Sequence, residues 1–229
     1  MSGMTIGLIM FAVLMVLLAL RVHIGIGMFL VGAAGFVVMN DYAWLPLLNA
    51  LKNLAYSRFS NYDLAVIPLF MLMGQFATHG GLSRALFTCV NNFVGHLRGG
   101  VAMAAVGACA AFGAICGSSV ATAATFSSVA YPEMRRFGYP QSFSTGVIAA
   151  GGTLGAMLPP STVLAVYAIL TQQDIGKLFM AGIVPGLLAM LLYVITIVII
   201  VRVRPDWLPK GEQKSWGERF HGLKDVWAP

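Results

Sequence analysis

Charge along this chain falls in islands, and the islands separate long apolar stretches. Residues 1–20, 99–132, 137–173 and 178–201 contain no Asp, Glu, Lys or Arg. Uncharged apolar runs of about 18 residues or more mark helices that cross a bilayer. The pattern predicts a first span over Thr5–Leu20, a short Arg21-Val22-His23 link and a second span over Ile24–Met39. The second span carries Gly25, Gly27, Gly32 and Gly35, and small residues let helices approach closely in lipid. Tyr42 and Trp44 suit a membrane interface, Leu45–Arg58 is a less apolar, surface-lying stretch, and a third span falls over Leu64–Thr78. Leu82, Leu86, Val90, Phe93, Val94 and Leu97 then recur at three- and four-residue steps, with Ser83, Arg84, Thr88, Asn91 and Asn92 between them. That is an amphipathic helix suited to the membrane surface. A last span runs over Leu178–Val201.

Two uncharged runs fit no simple crossing. Gly99–Pro132 has 34 residues. One straight helix of that size would reach about 51 Å against a hydrocarbon core of about 30 Å, and two full spans need about 40 residues plus a turn. The length suits a re-entrant hairpin with its tip at Gly117-Ser118-Ser119; Arg98 before it and Arg135 and Arg136 after it place both ends on one membrane face. In the second run, Gly138-Tyr139-Pro140 makes a turn and a helix starts near Ser142. That helix is expected to unwind at Gly151-Gly152-Thr153-Leu154-Gly155 and the following Pro159-Pro160-Ser161, because these residues disrupt helix. Helix resumes to about Leu170, giving one crossing made of two half-helices.

The resulting fold class is an all-α polytopic membrane protein with a re-entrant helical hairpin and a broken transmembrane helix; the family resemblance given below implies that it is one repeat of an ion-transporter-type fold. Residues 1–80 form scaffold-type transmembrane helices, 81–98 the interfacial helix and 99–136 the hairpin. Residues 137–173 form the broken helix, 174–203 the last transmembrane helix, and 204–229 a cytoplasmic tail or, by the family resemblance given below, a truncated inter-repeat loop.

Composition supports this picture. The chain is 59% hydrophobic and 10% charged, where a soluble domain carries about 25% charged residues. The first run has neither a basic n-region nor a small-x-small cleavage motif before Arg21, so it reads as a retained span rather than a signal peptide. The net charge of +6 comes from bases at span ends and in the tail, which is a topology signal and not a nucleic-acid one. With the N-terminus outside, the favoured orientation, Arg21, Arg84, Arg98, Arg135, Arg136, Arg202, Arg204, Lys210, Lys214, Arg219 and Lys224 fall on the cytoplasmic side. Lys52, Arg58 and Lys177 fall outside. Cys89, Cys109 and Cys116 lack metal spacing, and His23, His79, His96 and His221 do not cluster. The cysteines read as small hydrophobes and the histidines as surface groups.

Chemistry concentrates at the two irregular places. Irregular backbone survives at membrane depth only when buried in protein or lining a polar cavity. Broken helices there offer carbonyls to a cation and helix N-termini to an anion, the principle of many secondary transporters. The tip offers Gly117, Ser118 and Ser119, with Thr122 and Thr125 beyond; the break offers Gly151, Gly152, Thr153 and the carbonyls before Pro159 and Pro160. Ser161 can cap the next half-helix and aim its N–H groups at a carboxylate. Oxygen donors suit a hard cation such as Na⁺, and no deep segment holds the ionisable side chain a proton relay needs. No G-x-x-x-x-G-K-[ST] sequence is present, so no P-loop binds ATP here. Nothing suggests an enzyme or a cofactor beyond Na⁺ as coupling ion. The competing reading is that Ser and Thr in membrane helices bond their own backbone or a neighbouring helix.

Four pieces of sequence, in order, resemble the large membrane subunit (DctM-like) of tripartite ATP-independent periplasmic (TRAP) transporters. They are Ile67-Pro68-Leu69-Phe70-Met71-Leu72-Met73-Gly74, Gly117-Ser118-Ser119-Val120-Ala121-Thr122-Ala123, Tyr131-Pro132-Glu133-Met134 with Gly138-Tyr139, and Gly152-Thr153-Leu154-Gly155 with Leu158-Pro159-Pro160-Ser161. The resemblance covers nearly the whole chain up to the tail. It implies a Na⁺-coupled symporter in the bacterial inner membrane, importing organic acids of the C4-dicarboxylate or sugar-acid class. Its partners would be a small TRAP membrane subunit and a periplasmic solute-binding protein. It implies Na⁺ binding by Ser118, Ser119, Gly152, Thr153 and Pro159, with Gly117, Thr122, Pro160 and Ser161 as substrate-binding candidates. The family's large subunit is about twice as long, with a second inverted repeat, so the chain corresponds to its N-terminal half. Two other readings stand beside this one: half of another ion-coupled anion permease, and a non-transporting membrane scaffold or assembly partner.

Overall fold

A computed structural model describes residues 3–59, 62–209, 211 and 226. Lys210, Lys214, Arg219, His221 and Lys224, which entered the charge and histidine readings, lie outside the described residues. Every extended element described is helical, and the chain divides into two compact units, residues 1–62 and 63–229.

The first unit holds α1 (Gly3–Ala19), α2 (Ile24–Met39) and α3 (Trp44–Phe59). The α1–α2 pair is held by close approach at two of the four α2 glycines. A Cβ on Gly35 would sit 3.2 Å from Met10 Cγ, and one on Gly27 3.4 Å from Leu14 Cδ1, whereas Gly25 and Gly32 meet nothing within 4 Å. Leu8, Phe11, Val16, Phe29 and Leu30 are exposed.

The second unit is built from α4 (Tyr62–His79), α5 (Leu82–Val94), α6 (Gly100–Cys116), α7 (Ser119–Arg136), α8 (Gln141–Met157), α9 (Thr162–Thr171) and α10 (Ile175–Val203). Its centre is α6, which packs on α5, α7, α8 and α10. Its small residues make this possible: Ala102, Ala104, Ala105, Ala108 and Cys109 are completely buried. At the α6–α8 crossing the backbones nearly touch, since a Cβ on Gly113 would lie 2.7 Å from Gly155 Cα. α6 and α7 form a helical hairpin closed by Gly117-Ser118, with Phe112 packed edge-on against Phe126 across it. The arms have 17 and 18 residues, about 26 and 27 Å at 1.5 Å per residue, each longer than half of a hydrocarbon core of about 30 Å.

One expectation is overturned. The segment Gly151–Gly155 does not unwind: α8 stays helical from Gln141 to Met157, and the interruption is confined to Leu158–Ser161. The glycines serve packing on two sides. A Cβ on Gly151 would lie 3.1 Å from Cys109 Sγ, one on Gly152 2.7 Å from Ala123 Cβ, and one on Gly155 2.7 Å from Thr122 Oγ1. Glycine costs a helix only about 1 kcal/mol relative to alanine, and close interhelical contact in a membrane offsets that. Prolines do break the helix. Pro159 and Pro160, joined by a cis peptide bond, supply no N–H, and Leu158 is pushed to extended angles (φ −80°, ψ 134°).

The α8–α9 run (Gln141–Thr171) and α10 are long and apolar enough to cross a membrane. The most apolar stretch of α10 is only 11% buried, the reverse of a core helix in a soluble protein. After α10 the chain folds back: Leu208 is fully buried, Tyr139 donates to Pro209 O (3.4 Å) and Gly211 N donates to Gly95 O (3.1 Å). Burial pushes the Tyr139 phenol up to about 12, against the lowering effect of a hydrogen bond that its oxygen accepts from the Val101 backbone.

Candidate functional site

The hairpin tip and the proline break, 45 residues apart in sequence, are in direct contact. Gly117 O accepts two hydrogen bonds from the first residue of α9, from Thr162 N (3.1 Å) and Thr162 Oγ1 (3.0 Å). Gly117 takes the left-handed conformation (φ +62°), and a Cβ there would strike Pro160 O, so this position requires glycine on two counts. Four helix ends meet here: the C-termini of α6 and α8 and the N-termini of α7 and α9. The last carbonyls and first N–H groups of a helix have no partner within it, so the junction concentrates partial charge of both signs.

The two N-termini are capped alike. Ser118 Oγ accepts from Ala121 N and Ser161 Oγ from Leu164 N, each at 3.3 Å. Ser161 also donates to Ala156 O (2.7 Å), tying the new helix to the last turn of the old one, and is completely buried. Thr122 is buried as well. Its hydroxyl donates to Ser118 O (2.8 Å) and lies 3.1 Å from Cys116 Sγ.

Of the nine residues singled out from sequence, Gly117, Ser118, Ser119, Thr122, Pro159, Pro160 and Ser161 lie at or next to this junction. Ser119, Pro159 and Pro160 are partly accessible. Gly152 is buried against α7 at Ala123. Thr153 is exposed on another face of α8: its hydroxyl donates to Ala150 O (2.6 Å) and pairs with Tyr193 Oη of α10 at 3.0 Å. Two contributors were missed. Thr162 carries a local signal, a hydroxyl directly after a helix cap, but nothing in sequence says that it reaches the tip. Tyr193 sits in an uninterrupted apolar run, where a lone phenol reads as an interface anchor. Both receive meaning only from tertiary neighbours. α10 also seats the break with two glycines: a Cβ on Gly186 would lie 2.7 Å from Leu158 Cδ2, and one on Gly182 3.0 Å from Met157 O.

The family model described as "Tripartite ATP-independent periplasmic transporter, DctM component" matches residues 11–229. The chain belongs to the DctM family of TRAP transporter components. It is 43% identical over 182 residues to a C4-dicarboxylate TRAP transporter large permease protein of Pseudomonas aeruginosa, covering 74% of this chain and 43% of that one. It is 36% identical to an ectoine TRAP transporter large permease protein of Halomonas elongata (71% and 38% covered). Identity is 30% to a sialic acid TRAP transporter large permease protein of Vibrio cholerae (72% and 38% covered). The chain thus spans less than half the length of these relatives. Family membership and the long apolar helices make this DctM-family chain a multi-pass protein of the inner membrane, from a family of permease components and not of enzymes.

Proposed function

We propose that the chain forms one repeat of a large TRAP permease subunit. That subunit imports organic acids of the C4-dicarboxylate or sugar-acid class with Na⁺, which arrive on a periplasmic binding protein, and a small membrane subunit braces it. The observation that carries this reading is the contact between the tip and the proline break, Gly117 O with Thr162. It brings helix C-terminal carbonyls and hydroxyls beside helix N-terminal amides at one uncharged place. The carbonyls suit a cation and the N-termini suit a carboxylate. The α6–α7 hairpin enters and leaves on one membrane face, the cytoplasmic one, with the N-terminus of the chain periplasmic.

Ser118, Ser119 and Pro159, with neighbouring backbone, are the nearer part of the Na⁺ site; Gly152 and Thr153 contribute from α8. The N-terminus of α9 at Pro160 and Ser161, beside Gly117 and Thr122, faces the substrate carboxylate. The Ser161 and Thr122 side chains hold that backbone in place. In a full-length assembled system, Ser119→Ala is expected to raise the Na⁺ concentration for half-maximal uptake on the order of tenfold, the worth of one hydrogen-bond-class contact to a charge. Thr153→Ala should change it less, because its hydroxyl is engaged by Ala150 O and Tyr193. Unchanged Na⁺ dependence in both Ser118→Ala and Ser119→Ala would remove the site assignment.

A further inference from the structure

The polar face of α5 does not simply meet solvent. It forms one wall of a cavity of about 660 Å³ whose other wall is the C-terminal half of α7. From α5 come Arg84, Thr88, Asn91 and Asn92, at the three- and four-residue steps of one helix face; from α7 come Ser128, Glu133 and Arg136. Phe87, Val129 and Phe137 give the same cavity apolar wall. Glu133 is partly neutralised by Arg136, 3.4 Å away. Among the described residues Arg84 has no carboxylate partner. The cavity therefore holds one excess positive charge, a second guanidinium, amide and hydroxyl groups, and an apolar floor. The chemistry this selects is an anion attached to something greasy. Guanidinium groups recognise phosphate oxygens strongly, and basic pockets between helices at the cytoplasmic surface hold acidic lipid headgroups.

We propose that this cavity is a binding site for the phosphodiester headgroup of an acidic phospholipid, with Arg84 and Arg136 on the phosphate and Thr88 and Asn92 beside it. The acyl-bearing glycerol lies against Phe87 and Phe137. The site rests on α5 lying at the membrane surface and is independent of the ion site at the hairpin tip. It anchors the amphipathic helix and the base of the hairpin to the same lipid.

The test is lipid retention by the purified chain, exchanged into nanodiscs of phosphatidylcholine with a small fraction of phosphatidylglycerol, and read by native mass spectrometry after mild extraction. The chain should retain phosphatidylglycerol in preference to phosphatidylcholine. Arg84→Gln with Arg136→Gln should weaken that preference about thirtyfold, at roughly 1 kcal/mol for each of the two basic residues near the surface. Lys177→Gln, remote in sequence on α10, should leave it unchanged. Arg84→Lys with Arg136→Lys keeps the charge and should recover most of the preference, which separates lost binding from lost folding. Equal retention of the two lipids, or a preference untouched by the double Gln variant, would overturn the proposal. So would thermal stabilisation by inorganic phosphate that matches the effect of phosphatidylglycerol, which would make the cavity a site for soluble anions. Spin labels on α5 locate the helix in depth. A label at Leu82 or Leu86 buried at mid-bilayer would remove the surface placement instead.

Discussion

α6 and α10 are both uncharged over most of their length and strongly apolar, yet they occupy opposite environments. Twelve of the 17 residues of α6 are buried in the protein, whereas α10, with 29 residues, buries only Gly186 and Ile197. Side-chain size separates them. α6 is made of Gly, Ala and Cys with few large groups; α10 is made of Leu, Ile, Val and Met. In lipid, burying an apolar side chain against protein gains no hydrophobic free energy, so association goes to the helices that pack most closely. Small residues therefore face protein in this chain, and the large ones of α10 are left exposed. α10 obeys the same rule locally, since it touches the proline break through Gly182 and Gly186.

The sharpest way to break the comparison is to give α6 a large residue at its closest approach. Gly113→Leu would drive a side chain into the Gly155 backbone, 2.7 Å from the Cβ position. It is expected to lower stability by about 3 kcal/mol, read as a lower thermal midpoint and earlier aggregation in detergent. If Gly113→Leu melts like the parent chain, α6 and α8 do not cross there. A smaller loss is expected for Gly117→Ala. A left-handed conformation costs a non-glycine residue about 1–2 kcal/mol, and displacing Pro160 O adds to it. Limited proteolysis across the tip and the α8–α9 link should report both segments loosening together, since Thr162 bonds to this turn. Least is expected from Leu188→Ala on the exposed face of α10, a change within about 0.5 kcal/mol in the same melting assay. A loss comparable to that of Gly113→Leu would mean that this face packs on protein.

Much of the fold was legible in the residues. The second span was expected at Ile24–Met39, where α2 is found. The amphipathic helix, a tip at Gly117-Ser118-Ser119 and an interruption at Pro159-Pro160 were also expected; α5 and the α8–α9 link have these features, and the α6–α7 turn is Gly117-Ser118, with Ser119 already the first residue of α7. Each rests on a local cause: periodicity, a left-handed glycine, a missing N–H. Gly151–Gly155 misled for an equally physical reason. A glycine run weakens a helix and also allows another helix to lie against it, and which effect wins depends on whether a partner is there. At the candidate site, Ser118 and Ser161 were readable as caps from their position, while the pairing of Thr153 with Tyr193 was not.

The amino-acid sequence by itself determined that the chain lives in a membrane, that it is helical, and that Gly117-Ser118 and Pro159-Pro160 interrupt helix, because solvation, periodicity and dihedral limits act within a few residues. Only the tertiary structure decided that Gly151–Gly155 stays wound, that Thr162 docks on the tip, and that small-residue α6 rather than α10 forms the centre. Those outcomes depend on contacts between segments tens of residues apart, and in lipid it is the closeness of such contacts, not hydropathy, that sets which helix goes inside.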